Sequence, residues 1–89
     1  MIRKFADHKS AQCFVVEYDN GDKKLVSYST DVIYIEANWL EVTGLYSRTT
    51  IKHIGWFMRE LGYDYYFAKQ LFNDRMRYNL ETGEVQPIG

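Results

Sequence analysis

Residues 44–62 read GLYSRTTIKHIGWFMRELG, and the spacing of their apolar members decides the fold class. Turned through about 100° per residue, Ile51, Ile54, Phe57, Met58 and Leu61 fall within an arc of about 120°, the width of a helix laid on a sheet. A helix over residues 49–61 follows. Gly62 stands where a glycine ends a helix by stepping into the left-handed conformation. Ser47 and Thr49 can each cap its start, because a side-chain oxygen there accepts a bond from a free amide of the first turn. Neither is followed three residues later by Glu or Gln, so the reciprocal capping box is missing.

Upstream of this helix the text is β-rich. QCFVVEY, from Gln12, runs into DNGDKK, where Asn20-Gly21 supplies residues that tolerate positive φ in a tight turn, and the chain returns as KLVSY. The period of two puts Phe14, Val16 and Tyr18 on one face. STDVIYIE is the next strand, with Val32, Tyr34 and Glu36 on one side and Ile33 and Ile35 on the other; ANW is a break, and LEVTGLY is a further strand. The first ten residues read as an edge strand or a loose end. Downstream, YDYYFAKQLFND reads as a shorter helix capped by Asp64 with Tyr65, Ala68, Leu71 and Phe72 on one side, against a competing strand over residues 63–67. The tail reads as strand, Thr82-Gly83 turn, strand. Residues 1–89 therefore form one α+β domain, an antiparallel β-meander covered by one main helix, with a shorter C-terminal helix or turn and a terminal hairpin.

Eighty-nine residues suit one domain, which at this size buries only about 60–65% of its unfolded surface. Eight tyrosines, five phenylalanines and two tryptophans supply that core and leave aromatic surface over for binding. The net charge of −1 lacks the footprint of a general nucleic-acid binder. It hides a division, however. Residues 1–43 hold five basic and seven acidic side chains, whereas residues 44–80 hold six basic and three acidic. The lone Cys13 cannot form an internal disulfide and, beside Phe14, Val15 and Val16, reads as a small core residue in a reducing compartment. Neither an apolar run of about 20 residues nor a signal-peptide pattern is present, so a cytoplasmic protein away from membranes is expected.

Chemistry-bearing motifs are sparse. Asp19, Asn20, Gly21 and Asp22 lack the alternating ligands and closing glutamate of a calcium loop. His8 and His53 are far apart in sequence and have no ligand spacing, and neither a nucleophile elbow nor a phosphate-binding loop occurs. The expectation is no catalytic residue, no metal and no cofactor. The better candidate is the opening helix, where Arg48, Lys52, Arg59 and Trp56 project away from the apolar arc and Gly55 lies at its margin, open to a close approach by another backbone or a phosphate. Arginine and lysine suit carboxylates or phosphates, and tryptophan suits stacking or anchoring. The competing reading makes the basic residues a solvated face, packs Trp56 on the second helix or tail, lets Gly55 admit a neighbouring tyrosine, and makes His53 a hydrogen-bonded structural residue. Tyr63, Tyr65 and Tyr66 are a second candidate patch.

Ser27, Tyr28, Thr30 and Val32, then Tyr46, Ser47, Thr49, Thr50, His53, Ile54 and Phe57, carry a pattern whose core is Tyr-Ser-x-Thr-Thr-x-x-His-Ile. It resembles a family of small uncharacterised domains encoded by bacteriophages, plasmids and other mobile elements of bacteria. The resemblance implies a mobile-element protein and names no reaction. Gly55-Trp56 and the aromatic tail from Tyr63 depart from that pattern, which implies a surface specialised for one partner. The expected function is a non-enzymatic protein that docks on and blocks a host or defence protein in the bacterial cytoplasm, as an anti-CRISPR-like inhibitor blocks its nuclease, acting as a monomer or small homo-oligomer. Direct nucleic-acid binding through the same basic stripe is the alternative.

Overall fold

A computed structural model describes residues 1–88 of the chain. Seven strands and two helices follow in the order β1 (Ile2–Arg3), β2 (Cys13–Glu17), β3 (Lys23–Ser27), β4 (Thr30–Glu36), β5 (Trp39–Val42), α1 (Arg48–Glu60), α2 (Tyr65–Asp74), β6 (Met76–Asn79) and β7 (Val85–Pro87). All strands join one antiparallel sheet in chain order, so the terminal hairpin extends the meander: β6 pairs with β5 through Trp39–Asn79 and Leu40–Tyr78. Both helices sit between β5 and β6 in sequence and cover one face of the sheet. Helix α1 lies over β3 and against α2, and α2 lies over β5 and β6.

The hairpins use local turn chemistry. Gly21, at φ 93°, closes β2–β3, and Asn20 Oδ1 accepts the Asp22 amide at 3.0 Å. Ala37 and Asn38, at φ 50° and 70°, form a two-residue turn whose paired positive φ values match the right-handed twist of the flanking strands. Trp39 then pairs with Glu36, so the expected break at ANW is confined to Ala37-Asn38. Tyr28, at φ 58°, turns β3 into β4.

Alternation holds in β2, where Cys13 and Val15 are buried and Phe14 and Val16 take the opposite face. It fails once in β4. Leu25 pairs with Ile33 but Val26 pairs with Asp31, which leaves Val32 as an extra residue. This bulge turns Val32 inward beside Ile33 and corrects its expected place on the Tyr34 and Glu36 face. Thr43 ties down the bulge: its amide donates to the Val32 carbonyl at 2.9 Å, and its Oγ1 donates to the Asp31 carbonyl at 2.8 Å and lies 3.3 Å from that of Val32.

Ser47, and not Thr49, caps α1: its Oγ accepts the Thr50 amide at 3.2 Å. Gly62, at φ 92°, ends the helix, with the Tyr63 amide donating to the Met58 carbonyl and the Gly62 amide to that of Arg59. Asp64 caps α2 by accepting the Phe67 amide at 3.0 Å, which settles residues 63–67 against the competing strand. The core joins Val15, Leu25, Ile33, Ile35, Leu40 and Val42 of the sheet to Ile54, Phe57 and Met58 of α1 and to Ala68 and Leu71 of α2. Burying a side chain such as Phe57 stabilises the fold by about 1.5–3 kcal/mol. Two helices provide the cover where the periodicity offered one, and the buried arc of α1 widens accordingly from the expected 120° to roughly 200°, from His53 round to Gly55.

Candidate docking surface

The sequence marks one side of α1, and the structure leaves that side exposed. Arg48, Lys52 and Arg59 are solvent-facing and make no ion pair among the described residues. At about 1.5 Å per residue the three cations span roughly 16 Å of helix. Glu60, the one acidic residue of α1, is held elsewhere. Arg3 of β1 donates to both Glu60 carboxylate oxygens at 2.8 Å, and its Nε donates to Glu17 at 2.8 Å. This fork raises the Arg3 pKa, chiefly through Glu60, and lowers that of Glu17, chiefly through Arg3. The ridge is therefore left cationic.

Trp56 is half-buried, and its neighbours differ from both the second helix and the tail. His8 stacks on it with ring centroids 3.6 Å apart and planes 3° apart, Phe5 meets it edge-on at 6.0 Å, and His53 lies at 5.3 Å. The N-terminal segment thus wraps over α1 instead of ending loose. Beside this stack lies a groove of about 350 Å³, lined by Phe5, Asp7, His8, Trp56, Arg59 and Glu60. Gly55 is removed from the ridge: it is buried, and a Cβ placed there would lie 3.8 Å from Tyr65 Cβ. It admits α2, not a phosphate.

The tyrosine patch divides in the same way. Tyr63 is half-buried, with its hydroxyl 3.0 Å from that of Tyr78 and its ring stacked on Phe67 at 5.0 Å. Tyr65 packs beside Gly55, and only Tyr66, 74% exposed, is open to a partner.

Sequence reasoning did not anticipate how the polar residues of the Tyr-Ser-x-Thr-Thr-x-x-His-Ile pattern join to β3. Ser47 Oγ donates to Thr50 Oγ1 at 3.2 Å, Thr50 Oγ1 lies 2.9 Å from Ser27 Oγ, and Ser27 Oγ lies 2.7 Å from His53 Nδ1. These contacts join Ser47, Thr50, Ser27 and His53 into one hydrogen-bonded chain. Burial, with Lys4 and Lys52 nearby, pushes the His53 pKa down, which favours the neutral ring. A Ser–His contact invites comparison with a nucleophile and base, but Ser27 and His53 are each 1% exposed. The hydroxyl reaches the imidazole and no solvent-borne carbonyl. The chain ties the start of α1 to β3 and fixes the pitch at which the ridge is presented. Its one advance signal was the helical spacing of Thr50 and His53, which puts both on one side of α1.

Cys13 is buried, and its thiol is pushed up by burial, as a core cysteine's should be. Among the described residues no group of three His, Cys, Asp or Glu side chains is placed to hold a metal ion. No helix of the described residues is long and apolar enough to cross a membrane.

These features define a small α+β module in which two helices cover one face of an antiparallel meander and one helix carries an uncompensated basic ridge. The chain belongs to a family of unknown function, DUF8033, whose model matches residues 3–74. No curated protein and no solved structure matches it. The family match ends with α2 and so leaves the β6–β7 hairpin outside it.

Proposed function

We propose that this protein is a non-enzymatic docking module that engages an acidic surface of a partner protein through the α1 ridge and acts by occupying it. The observation that carries the reading is that Arg48, Lys52 and Arg59 form no ion pair among the described residues, while Arg3 binds Glu60, the one acid of their helix. Desolvated arginine–carboxylate pairs give orientation as well as attraction. The role as an inhibitor of a host or defence protein, with a CRISPR nuclease as one such target, in a bacterial cytoplasm, draws on the mobile-element resemblance of residues 46–54. The burial of Ser27 and His53 supports the non-enzymatic part.

A protein partner is favoured over nucleic acid because the Trp56 ring is half-buried, stacked on His8 and flanked by Phe5 and His53, which disfavours it as a platform for bases to stack on. The test is affinity capture from a bacterial host lysate with the wild-type chain and with Arg48→Glu/Lys52→Glu/Arg59→Glu, followed by mass spectrometry. A partner held by the wild type and lost by the triple variant is expected; an identical captured set rejects the ridge. Titrating 30-nucleotide DNA and RNA at about 50 mM salt separates the other reading, since three phosphate contacts would give a log–log salt slope of about −2 to −3.

A further inference from the structure

The helices cover one side of the sheet, and no element of the described residues covers the other. Cross-strand pairing lines that open side with Phe14 opposite Val26, Lys24 opposite Tyr34, Tyr34 opposite Glu41, and Glu36 opposite Trp39. Tyr34 stands as a wall between two clefts. One, of about 440 Å³, is bordered by Tyr18, Asp19, Lys24 and Glu36; the other, of about 410 Å³, is bordered by Glu36, Trp39, Glu41 and Arg77. The wall is fixed in place: the Tyr34 hydroxyl donates to Asp31 Oδ2 at 2.9 Å, and Lys24 Nζ donates to the same oxygen at 3.3 Å.

The charges in these clefts are unevenly committed. Lys23 pairs with Glu17 and Lys24 with Asp31. Arg77 stacks on Trp39 at 4.4 Å and donates to Gln86 at 2.9 Å. Asp19, Glu36 and Glu41 have no ion pair among the described residues. Aromatic walls with free carboxylates at their rims suit a cationic head on an apolar stem, which is a lysine or arginine side chain. The face is opposite in sign to the α1 ridge.

We propose that the open sheet face docks a basic, extended segment of a partner protein, with lysine or arginine side chains entering the clefts on either side of Tyr34. The clefts lie about two strand spacings apart, roughly 10 Å, which is the reach of side chains three residues apart on one face of an extended, polyproline-II-like chain, with three residues per turn at about 3.1 Å per residue. The site is independent of the ridge.

The probe is a ten-residue synthetic peptide of Lys-Ser-Ser repeats, titrated into the full ¹⁵N-labelled chain at about 50 mM salt, with a Glu-Ser-Ser peptide as control. Amide shifts are expected at Tyr34, Glu36, Trp39 and Glu41 and at the Trp39 indole, with α1 unmoved. Glu36→Gln/Glu41→Gln should weaken binding about tenfold, and Tyr34→Ala should weaken it similarly. Arg48→Glu/Lys52→Glu/Arg59→Glu should leave it intact. Because these positions are on the surface, unchanged far-ultraviolet circular dichroism shows that each variant is folded. The proposal is overturned if the lysine peptide causes no shifts at millimolar concentration, if the glutamate peptide binds equally, or if the carboxamide pair binds as the wild type does. It is overturned in favour of self-association if sedimentation shows a dimer that Tyr34→Arg abolishes.

Discussion

Replacing Ser27 with alanine removes one oxygen that serves two buried partners, Thr50 at 2.9 Å and His53 Nδ1 at 2.7 Å. Thr50 has a way out: its hydroxyl can turn to Ser47, whose own proton then meets water because Ser47 is exposed. His53 has none, since either tautomer leaves Nδ1 buried without a partner. Stranding one buried polar atom costs about 1–3 kcal/mol, so Ser27→Ala should lose about 2 kcal/mol. For a domain of this size that lowers Tm by roughly 8–16 °C, readable by urea and thermal unfolding followed by circular dichroism. Removing both partners, in Ser27→Ala/His53→Leu, should recover part of the loss through a coupling of about 1–2 kcal/mol. The pH dependence gives a second readout. His53 titrates lower in the folded chain than the usual value of about 6.5, so as pH falls the unfolded chain takes up the proton first. Its effect on stability is therefore nil above about pH 6.5, and stability is lost below it, down to the folded pKa. His53→Leu should flatten this acid-side decline. A Ser27→Ala loss under about 0.5 kcal/mol, or an unchanged decline in His53→Leu, refutes the hydrogen-bonded chain.

Three other outcomes follow from particular residues. Gly55→Ala should stabilise the protein by up to about 1 kcal/mol in chemical denaturation, because a Cβ meets Tyr65 at an ordinary 3.8 Å while helix propensity improves; a loss of stability would mean that α2 sits closer. Ala37→Gly should also stabilise by about 1 kcal/mol, since Ala37 holds φ 50° at the cost of a Cβ clash; an unchanged midpoint would show that the turn carries no strain. Trp56→Ala should speed hydrogen exchange at the His8 and Ala11 amides, whose turn bonds rest under the His8 stack, while sparing the β3 and β4 amides. Exchange that accelerates equally throughout would place Trp56 in the global core.

Much of the fold was legible because it depends on local periodicity. The spacing of Ile51, Ile54, Phe57, Met58 and Leu61 shows a covering helix whatever lies beneath it, and Asn20-Gly21, Gly62 and Asp64 punctuate the chain through φ preferences and side-chain oxygens that act within a few residues. Val32 escaped because a bulge is set by what lies across the strand pair, here the step from Ile33 opposite Leu25 to Asp31 opposite Val26. The ridge was legible as a helical stripe of Arg48, Lys52 and Arg59. Trp56 was misplaced, since it answers to a segment distant in sequence, where His8 covers the indole; for Gly55 the competing reading held, because Tyr65 occupies the space above the glycine.

By itself the sequence determined the α+β class, the main helix and its end, and which residues of that helix avoid the core, because period and capping need no information beyond one turn of chain. Only tertiary structure decided that Arg48, Lys52 and Arg59 stand unpaired and that Glu60, the one acid of their helix, is bound by Arg3 across a separation of 57 residues. It also decided that Ser27, Ser47, Thr50 and His53 form one hydrogen-bonded chain, and that Phe14, Tyr34 and Trp39 share an uncovered face. Hydrogen bonds and ion pairs form between atoms about 3 Å apart, and which residues meet at that distance is fixed by strand order and helix packing.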